Sequence, residues 1–107
     1  MVLKNVTVSR KAELSYGGRV SKRTVVMAGG EMKSLGLVQP GTYRLTTEAA
    51  ETIEISQGHC RVKLPGDQAW VDYEAGQSFE VPADSQFEIE VEDVLDYISH
   101  VDTGSGP

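Results

Sequence analysis

Short runs in which apolar and polar side chains alternate cover most of this chain, and they are rich in Val, Ile, Leu, Thr and Tyr. An alternation with a period of two predicts β-strands that turn one face toward a core. Turn signals such as Gly17-Gly18, Gly29-Gly30 and Pro65-Gly66-Asp67 separate the runs. We predict strands over residues 6–8, 24–27, 34–38, 41–47, 52–56, 60–64, 69–73, 77–81, 86–91 and 96–100.

The number and even spacing of these strands predict the fold class. No window longer than a turn carries a convincing helical apolar period, so an all-β fold is expected. Many short strands of this kind form a sandwich or a closed barrel, and a closed barrel leaves no exposed strand edge. A chain of 107 residues suits one domain, which we place at residues 1–101. The polar, Gly-rich residues 102–107 are expected to be a disordered tail.

Two strands show best which side chains face the core. Glu51 shares its face with Ile53 and Ile55, so the period of two points this carboxylate inward. By the same argument Phe87 points inward together with Ile89. A carboxylate on an apolar face is costly unless it is paired or performs a function. Glu51 is therefore the first candidate for a functional residue, and a structural carboxylate paired with Arg or Tyr is the alternative.

The strand over residues 41–47 carries further candidates. Tyr43 and Thr47 lie two residues on either side of Leu45, so all three are expected on the core face. Arg44 then points to the opposite face, unless a β-bulge reverses it.

The charge balance and the cysteine count narrow the classes of function. The net charge is −6, which argues against nucleic-acid or anionic-membrane partners, because both require a basic face. Any phosphate site must therefore be built locally. The single Cys60 excludes an intrachain disulfide and suits a reducing compartment. No signal-peptide-like or membrane-spanning apolar run is recognisable, so we expect a cytoplasmic protein.

Two segments resemble the cupin motifs. In GTYRLTTEAAETIEISQG, Glu51 stands six intervening residues before a glycine, as in the first cupin motif. In GQSFEVPADSQF, a glycine is followed by five residues and a proline, as in the second motif. The metal-binding histidines of that fold are absent, since Leu45 or Thr47 and then Phe87 occupy their positions. Because a divalent metal needs about three or four His or carboxylate ligands, we predict no metal and no cofactor.

A narrower resemblance covers the chain from about Asn5 to Ser99. The segments NVTVSRKAELSYGGRV, MKSLGLVQPGTYRLTT, EAAETIEISQGHCRVKLPG, WVDYEAGQSFEVPADSQFEI and VLDYIS resemble the pyrimidine/purine nucleoside phosphorylase family of small bacterial cupins. This resemblance implies a single cupin-type β-barrel and a homodimer. It also implies a metal-independent reaction in which nucleoside and inorganic phosphate give a free base and pentose 1-phosphate, with broad tolerance of the base.

The implied reaction assigns roles to the inward-facing residues. Glu51 would bind ribose hydroxyls, stabilise positive charge on the sugar or donate a proton. The hydroxyl of Thr47 would contact phosphate or sugar, and a β-branched residue filling a strand is the alternative. The rings of Tyr43, Phe79, Phe87 and Tyr97 would contact the base, because stacking tolerates every base. Ordinary core packing is the alternative for these rings, and it is favoured for both phenylalanines.

Phosphate has no obvious receptor in the sequence, because the P-loop pattern GxxxxGK[ST] is absent. The basic candidates are Arg44, Lys33, Arg61 and Arg23, and we prefer Arg44. A second hypothesis is a non-catalytic cupin module that binds a small metabolite such as a sugar or nucleoside. A third, a metal-dependent dioxygenase or isomerase, is disfavoured by the missing histidines.

Overall fold

The computed structural model describes residues 2–102, which form eleven β-strands and one 3₁₀ turn, Tyr16–Gly18. The all-β prediction is confirmed. Within these residues, no helix is long and apolar enough to cross a bilayer. The strands are β1 (Thr7–Val8), β2 (Glu13–Ser15), β3 (Val20–Val26), β4 (Met32–Val38), β5 (Gly41–Thr46), β6 (Glu51–Gln57), β7 (His59–Lys63), β8 (Val71–Glu74), β9 (Ser78–Val81), β10 (Gln86–Val91) and β11 (Leu95–Val101).

The strands pair antiparallel in two sheets. The larger sheet has seven strands in the order β1-β3-β4-β11-β6-β9, with β2 paired to β3 on the same edge as β1. The smaller sheet has four strands in the order β5-β10-β7-β8. From β4 onward the chain changes sheet at most of its connections, so neighbours in a sheet are distant in sequence. Such an arrangement wraps the chain around a common interior.

The predicted cupin-type fold is confirmed, and its two sheets do not close into a true barrel. The chain changes sheet at sharp corners, where the ladder is interrupted. Pro40, at the corner between β4 and β5, has no N–H to donate. Gly58, between β6 and β7, has a φ of 96°, and a Cβ there would stand 2.7 Å from the Val94 carbonyl oxygen. These corners bring the sheets face to face, and exposed strand edges remain.

The core lies between the inner faces of the two sheets. The period of two is visible in the burial: in β10 Phe87, Ile89 and Val91 are buried, and in β6 Ile53 and Ile55 are buried. Apolar side chains from both sheets meet in one cluster. The predicted inward orientation of Phe87 is therefore confirmed, and Glu51 lies on the same face as Ile53.

The N-terminal part of the large sheet differs most from the prediction. No strand was predicted at β2, and β3 begins at Val20 rather than at residue 24. The segment Val20–Val26 reads as polar because Arg23 is exposed on its outer face and its inner face carries Lys22. The predicted tail at 102–107 lies outside the described residues except for Asp102, whose N–H donates to the Ala50 carbonyl at 2.8 Å.

A close approach between β4 and β11 shapes the interior. Gly36 pairs with Tyr97 across the two strands. A Cβ on Gly36 would stand 2.1 Å from Cζ and 2.5 Å from the hydroxyl oxygen of Tyr97. The tyrosine ring therefore lies flat over the glycine, in space that any other residue would fill.

We expect Gly36→Ala to destabilise the fold by about 1–3 kcal/mol, because the methyl group overlaps the buried ring of Tyr97. Urea unfolding measures the loss. Gly29→Ala is the control, because its nearest neighbour, Glu31 Oε1, lies 3.9 Å from the added Cβ and the substitution should be neutral. Equal stabilities of the two variants would contradict the packing described for Tyr97. Combining Gly36→Ala with Tyr97→Leu should recover part of the loss, since the double variant removes the overlap.

Candidate functional site

A cavity of about 290 Å³ opens between the two sheets at the end where β2 and the 3₁₀ turn lie. This volume is at the lower limit of small-molecule sites, about 300–1,000 Å³. One wall is apolar and one rim carries charged and hydroxyl groups. The apolar wall contains Ile53, Phe79, Phe87, Ile89 and Leu95, and the polar groups include Glu13, Lys22, Arg44, Glu51 and Tyr97.

Glu51 begins β6 and presents its carboxylate to this cavity. The hydroxyl of Ser99, a fully buried residue on the neighbouring strand β11, donates a short hydrogen bond to Oε1. Among residues 2–102 the carboxylate forms no ion pair with Arg and no hydrogen bond with Tyr. The second oxygen, Oε2, has no hydrogen-bond or ion-pair partner among residues 2–102.

Tyr97 presents a hydroxyl to the same cavity, although only 8% of the residue is exposed. Burial raises its pKa to about 12, and the negative charges of Glu51 and then Glu13 act in the same direction. No side chain or carbonyl of residues 2–102 forms a hydrogen bond with the hydroxyl. At neutral pH the site therefore contains a protonated hydroxyl that can donate to a ligand.

Phe79 and Phe87 form the apolar wall with their rings 6.0 Å apart at 69°. Both are buried, and Phe79 also packs on Tyr73 with ring centroids 4.8 Å apart. These contacts agree with core packing, and the two rings also line the cavity. Phe79 and Phe87 can therefore pack in the core and also contact a ligand in the cavity.

Thr47 points inward as predicted but is not among the residues that line this cavity. Its hydroxyl donates to the Pro82 carbonyl at 2.6 Å and accepts from the Ser85 N–H at 3.1 Å. Both hydrogen-bonding functions of the side chain are thus used to hold the loop between β9 and β10. Its predicted catalytic role stays a prediction.

Tyr43 also points inward, and its hydroxyl donates to the carbonyls of Gln39 and Pro40, each at 3.0 Å. Its ring packs edge-on against Tyr16, with centroids 5.1 Å apart. Tyr43 does not line the cavity, and instead it supports Tyr16, which does. A direct contact between Tyr43 and a ligand stays a prediction.

Arg44 points outward, in agreement with strict alternation. Its guanidinium is largely exposed and lies 3.4 Å from Glu88 Oε1, an ion pair that water screens strongly. The backbone of Arg44 reaches the cavity mouth, where its carbonyl accepts from the Tyr16 hydroxyl at 2.6 Å and its N–H donates to that oxygen at 3.2 Å. The hydroxyl of Tyr16 thus holds the 3₁₀ turn against β5.

The sequence-based search missed Lys22, Glu13 and Tyr16, which line the mouth of the cavity. Lys22 follows the buried Val20 by two residues in β3. A strand predicted from Val20 onward would therefore have placed Lys22 on the core face. Glu13 and Tyr16 come from β2 and the 3₁₀ turn, which only their pairing with β3 brings to the mouth.

The other predicted basic candidates lie away from the cavity. Lys33 lies on the outer face, with its Nζ 2.6 Å from Nδ1 of His100. Arg61 lies 2.7 Å from Glu90 and its guanidinium stands 5.4 Å from the ring centroid of Trp70. The register places Arg23 opposite Leu35, on the outer face of the large sheet.

The interior does not offer the ligands of a typical cupin metal site. His59 is exposed and lies 3.0 Å from Asp72, and the Nε2 atom of His100 lies 3.1 Å from Glu54 on the outer face. Across residues 2–102, no three His, Cys, Asp or Glu side chains are grouped as metal ligands. These described residues therefore do not fit a metal ion.

Cys60 is fully buried within β7. Burial, assisted by the charge of Asp72, raises its pKa to about 11. The side chain is therefore a neutral thiol at physiological pH, as expected of a packed strand residue rather than a nucleophile.

Comparison with known proteins identifies relatives along nearly the whole chain. The family model described as pyrimidine/purine nucleoside phosphorylase matches residues 10–100. A relative from Hydrogenovibrio crunogenus that carries the same name is 50% identical over 99 residues, which are 92% of this chain and 95% of the relative.

Solved structures support the fold. A crystal structure of a protein of unknown function from Acinetobacter sp. ADP1 superposes with a TM-score of 0.91 at 37% identity, covering 94% of this chain and 98% of that one. The Clostridium difficile EutQ protein, which is cupin-like, superposes with a TM-score of 0.72 at 16% identity, covering 94% of this chain and 82% of that one. The second likeness shows the fold alone, and it confirms the predicted cupin type.

We expect Thr47→Val to lower the free energy of unfolding by about 1 kcal/mol, because it removes the partner of the part-buried Pro82 carbonyl and Ser85 N–H. Denaturant unfolding measures the change. Thr42→Val, at an exposed position of the preceding strand β5, is the matched control and should be nearly neutral. A neutral Thr47→Val variant would show that the loop does not depend on this hydroxyl.

The raised pKa of Tyr97 predicts that the folded protein loses stability in alkaline solution. Its folded pKa of about 12 exceeds the ordinary value of 10.0, so between these pH values the folded protein keeps a proton that the unfolded chain releases. The free energy of unfolding should therefore fall as pH rises through this interval, by about 3 kcal/mol from this group. Tyr97→Phe should remove the part of this pH dependence that comes from the Tyr97 hydroxyl. The part that comes from the Cys60 thiol should remain in both the wild type and the variant. Parallel pH profiles for the two proteins would contradict the assignment.

Proposed function

Because the chain belongs to the pyrimidine/purine nucleoside phosphorylase family, we propose that it cleaves nucleosides by phosphorolysis. A phosphate oxygen attacks the anomeric carbon of the sugar, the bond from that carbon to the base nitrogen breaks, and the base leaves with the bonding electrons and gains a proton. The products are free base and pentose 1-phosphate. The observation that carries the proposal is the Glu51 carboxylate, held by Ser99 at the edge of an apolar cavity.

Glu51 suits the sugar in this reaction. As the bond to the base weakens, positive charge develops on the sugar ring, and a nearby carboxylate stabilises that charge. Since Ser99 occupies Oε1, the oxygen Oε2 is free to accept a hydrogen bond from a ribose hydroxyl. A residue that orients the sugar and also stabilises the charge acts mainly in the transition state, so its removal should lower kcat.

The apolar wall suits the base. Phe79 and Phe87 offer ring edges and faces without a hydrogen-bonding group, so they contact purines and pyrimidines alike. Broad base tolerance follows from such a wall. In this proposal Tyr43 and Thr47 act through the strand and loop that they hold, whereas Tyr97 contacts the substrates directly.

The remaining expectations belong to the same proposal. We propose that the enzyme works without a metal ion, as a cytoplasmic homodimer, on nucleoside and inorganic phosphate. Metal analysis of the active protein tests the absence of a metal ion, and light scattering tests the homodimer.

The proposal is tested with purified, chelator-treated protein, phosphate and a panel of uridine, thymidine, cytidine, adenosine, guanosine, inosine and xanthosine, with chromatography of the free base. We expect phosphate-dependent release of base. Glu51→Gln should lower kcat by about 100-fold or more, since it removes the charge and keeps the shape. Glu80→Gln, on the adjacent strand β9 but facing solvent, is the matched control and should retain full activity.

Folding of each variant is checked by circular dichroism. An unchanged rate in Glu51→Gln would remove this residue from the mechanism. Release of no base from any nucleoside, by well-folded wild-type protein, would overturn the phosphorylase proposal and favour the module that binds a small metabolite.

A further inference from the structure

Three residues in register form a row across the inner face of the large sheet. Lys22 of β3 pairs with Gly36 of β4, and Gly36 pairs with Tyr97 of β11. Adjacent strands are about 4.8 Å apart, so the two polar side chains begin about 10 Å from each other with only a glycine between them. The glycine therefore leaves room above β4 between the two polar side chains, and the Tyr97 ring occupies this space.

The phenol reaches across this space. Because the hydroxyl oxygen of Tyr97 lies 2.5 Å from the position of a Gly36 Cβ, it stands over β4 and one strand away from Lys22. Neither Lys22 Nζ nor the Tyr97 hydroxyl has an ion-pair or hydrogen-bond partner among residues 2–102. Two donors that converge on a cavity and lack a protein acceptor are suited to an acceptor supplied by a ligand.

We propose that Lys22 and the Tyr97 hydroxyl form the subsite for inorganic phosphate. This inference rests on the proposed function. It assigns a binding site to phosphate, for which the sequence contains no recognisable motif. The cationic side chains of the cavity are Lys22 and Arg44, and the guanidinium of Arg44 points outward to Glu88. Lys22 is thus the cation on the inner face that a phosphate in the cavity can reach.

The position of this subsite relative to Glu51 agrees with the reaction. Ser99, which holds Glu51, follows Tyr97 by two residues on the same face of β11. Two residues of a strand span about 7 Å. Phosphate at Tyr97 and sugar at Glu51 would therefore be neighbours, as an attack on the anomeric carbon requires.

Two carboxylates also border the subsite. Glu13 pairs with Lys22 in the register of β2 and β3, and Glu51 lies on the far side of Tyr97. Both repel an anion, so they favour a partly protonated phosphate whose own hydroxyl donates to a carboxylate. The Tyr97 hydroxyl stays protonated beside them, because its pKa is about 12.

The test uses the full chain and three variants. Lys22→Met removes the charge with little change of shape, Tyr97→Phe removes the hydroxyl, and Arg23→Met is the matched control, one residue away on the outer face of β3. We expect the KM for phosphate to rise about 10- to 100-fold in Lys22→Met and about 10-fold in Tyr97→Phe, with the KM for uridine changed by less than about threefold. Arg23→Met should match the wild type, and Lys22→Arg should recover part of the affinity.

A binding measurement separates this inference from the proposed function. Inorganic phosphate should raise the Tm of the wild type at constant ionic strength, and the increase should be lost in Lys22→Met. If the wild type releases no base but shows this Lys22-dependent stabilisation, the subsite stands while the phosphorylase proposal falls. An unchanged phosphate KM in folded Lys22→Met, or equal stabilisation of both proteins by phosphate, overturns the subsite and leaves the proposed function intact.

Discussion

The face-to-face packing of the seven-stranded and four-stranded sheets is the constraint on which the other features of this protein depend. Burying one face of each sheet makes every second side chain a core residue, and a slip of one residue would expose the whole apolar set. The register seen between β5 and β10 and between β6 and β11 is therefore held by the burial of residues such as Phe87, Ile89 and Ile55. Backbone hydrogen bonds alone would not distinguish this register from one shifted by a residue.

Because the inner faces are packed together, a polar group on one of them costs free energy unless it is hydrogen-bonded or reaches solvent. Each such group therefore has a structural or a functional partner to be identified. Thr47 is satisfied by the backbone of the loop that follows β9. Glu51 is held by Ser99 and opens on the cavity. Lys22 and Tyr97 face the cavity without a partner among residues 2–102, and this distinguishes them from the polar groups that support the fold.

Outward-facing charges are arranged differently. Arg44 with Glu88, Arg61 with Glu90, and His100 with Glu54 form cross-strand pairs on solvated faces. Pairs of this kind contribute little to stability in water. The acidic balance of the chain is thus mostly an outer-surface property, while the few inner-face charges act in a drier environment where each has a larger effect.

Local alternation explains why parts of the site were predictable. Glu51 beside Ile53, Tyr43 and Thr47 beside Leu45, and Arg44 on the opposite face follow from the period of two, and the structure places them accordingly. The motif spacing was equally informative about the family.

The sequence by itself determined the all-β class, the family and which side chains of the recognised strands face inward, because these properties depend on neighbours along the chain. Only the tertiary structure decided that the sheets stay unclosed, that Thr47 and Tyr43 hold backbone rather than line the cavity, and that Lys22, Gly36 and Tyr97 share a row. The physical reason is that a row across a sheet joins residues from strands distant in sequence, and its members are selected by register and close packing rather than by local spacing.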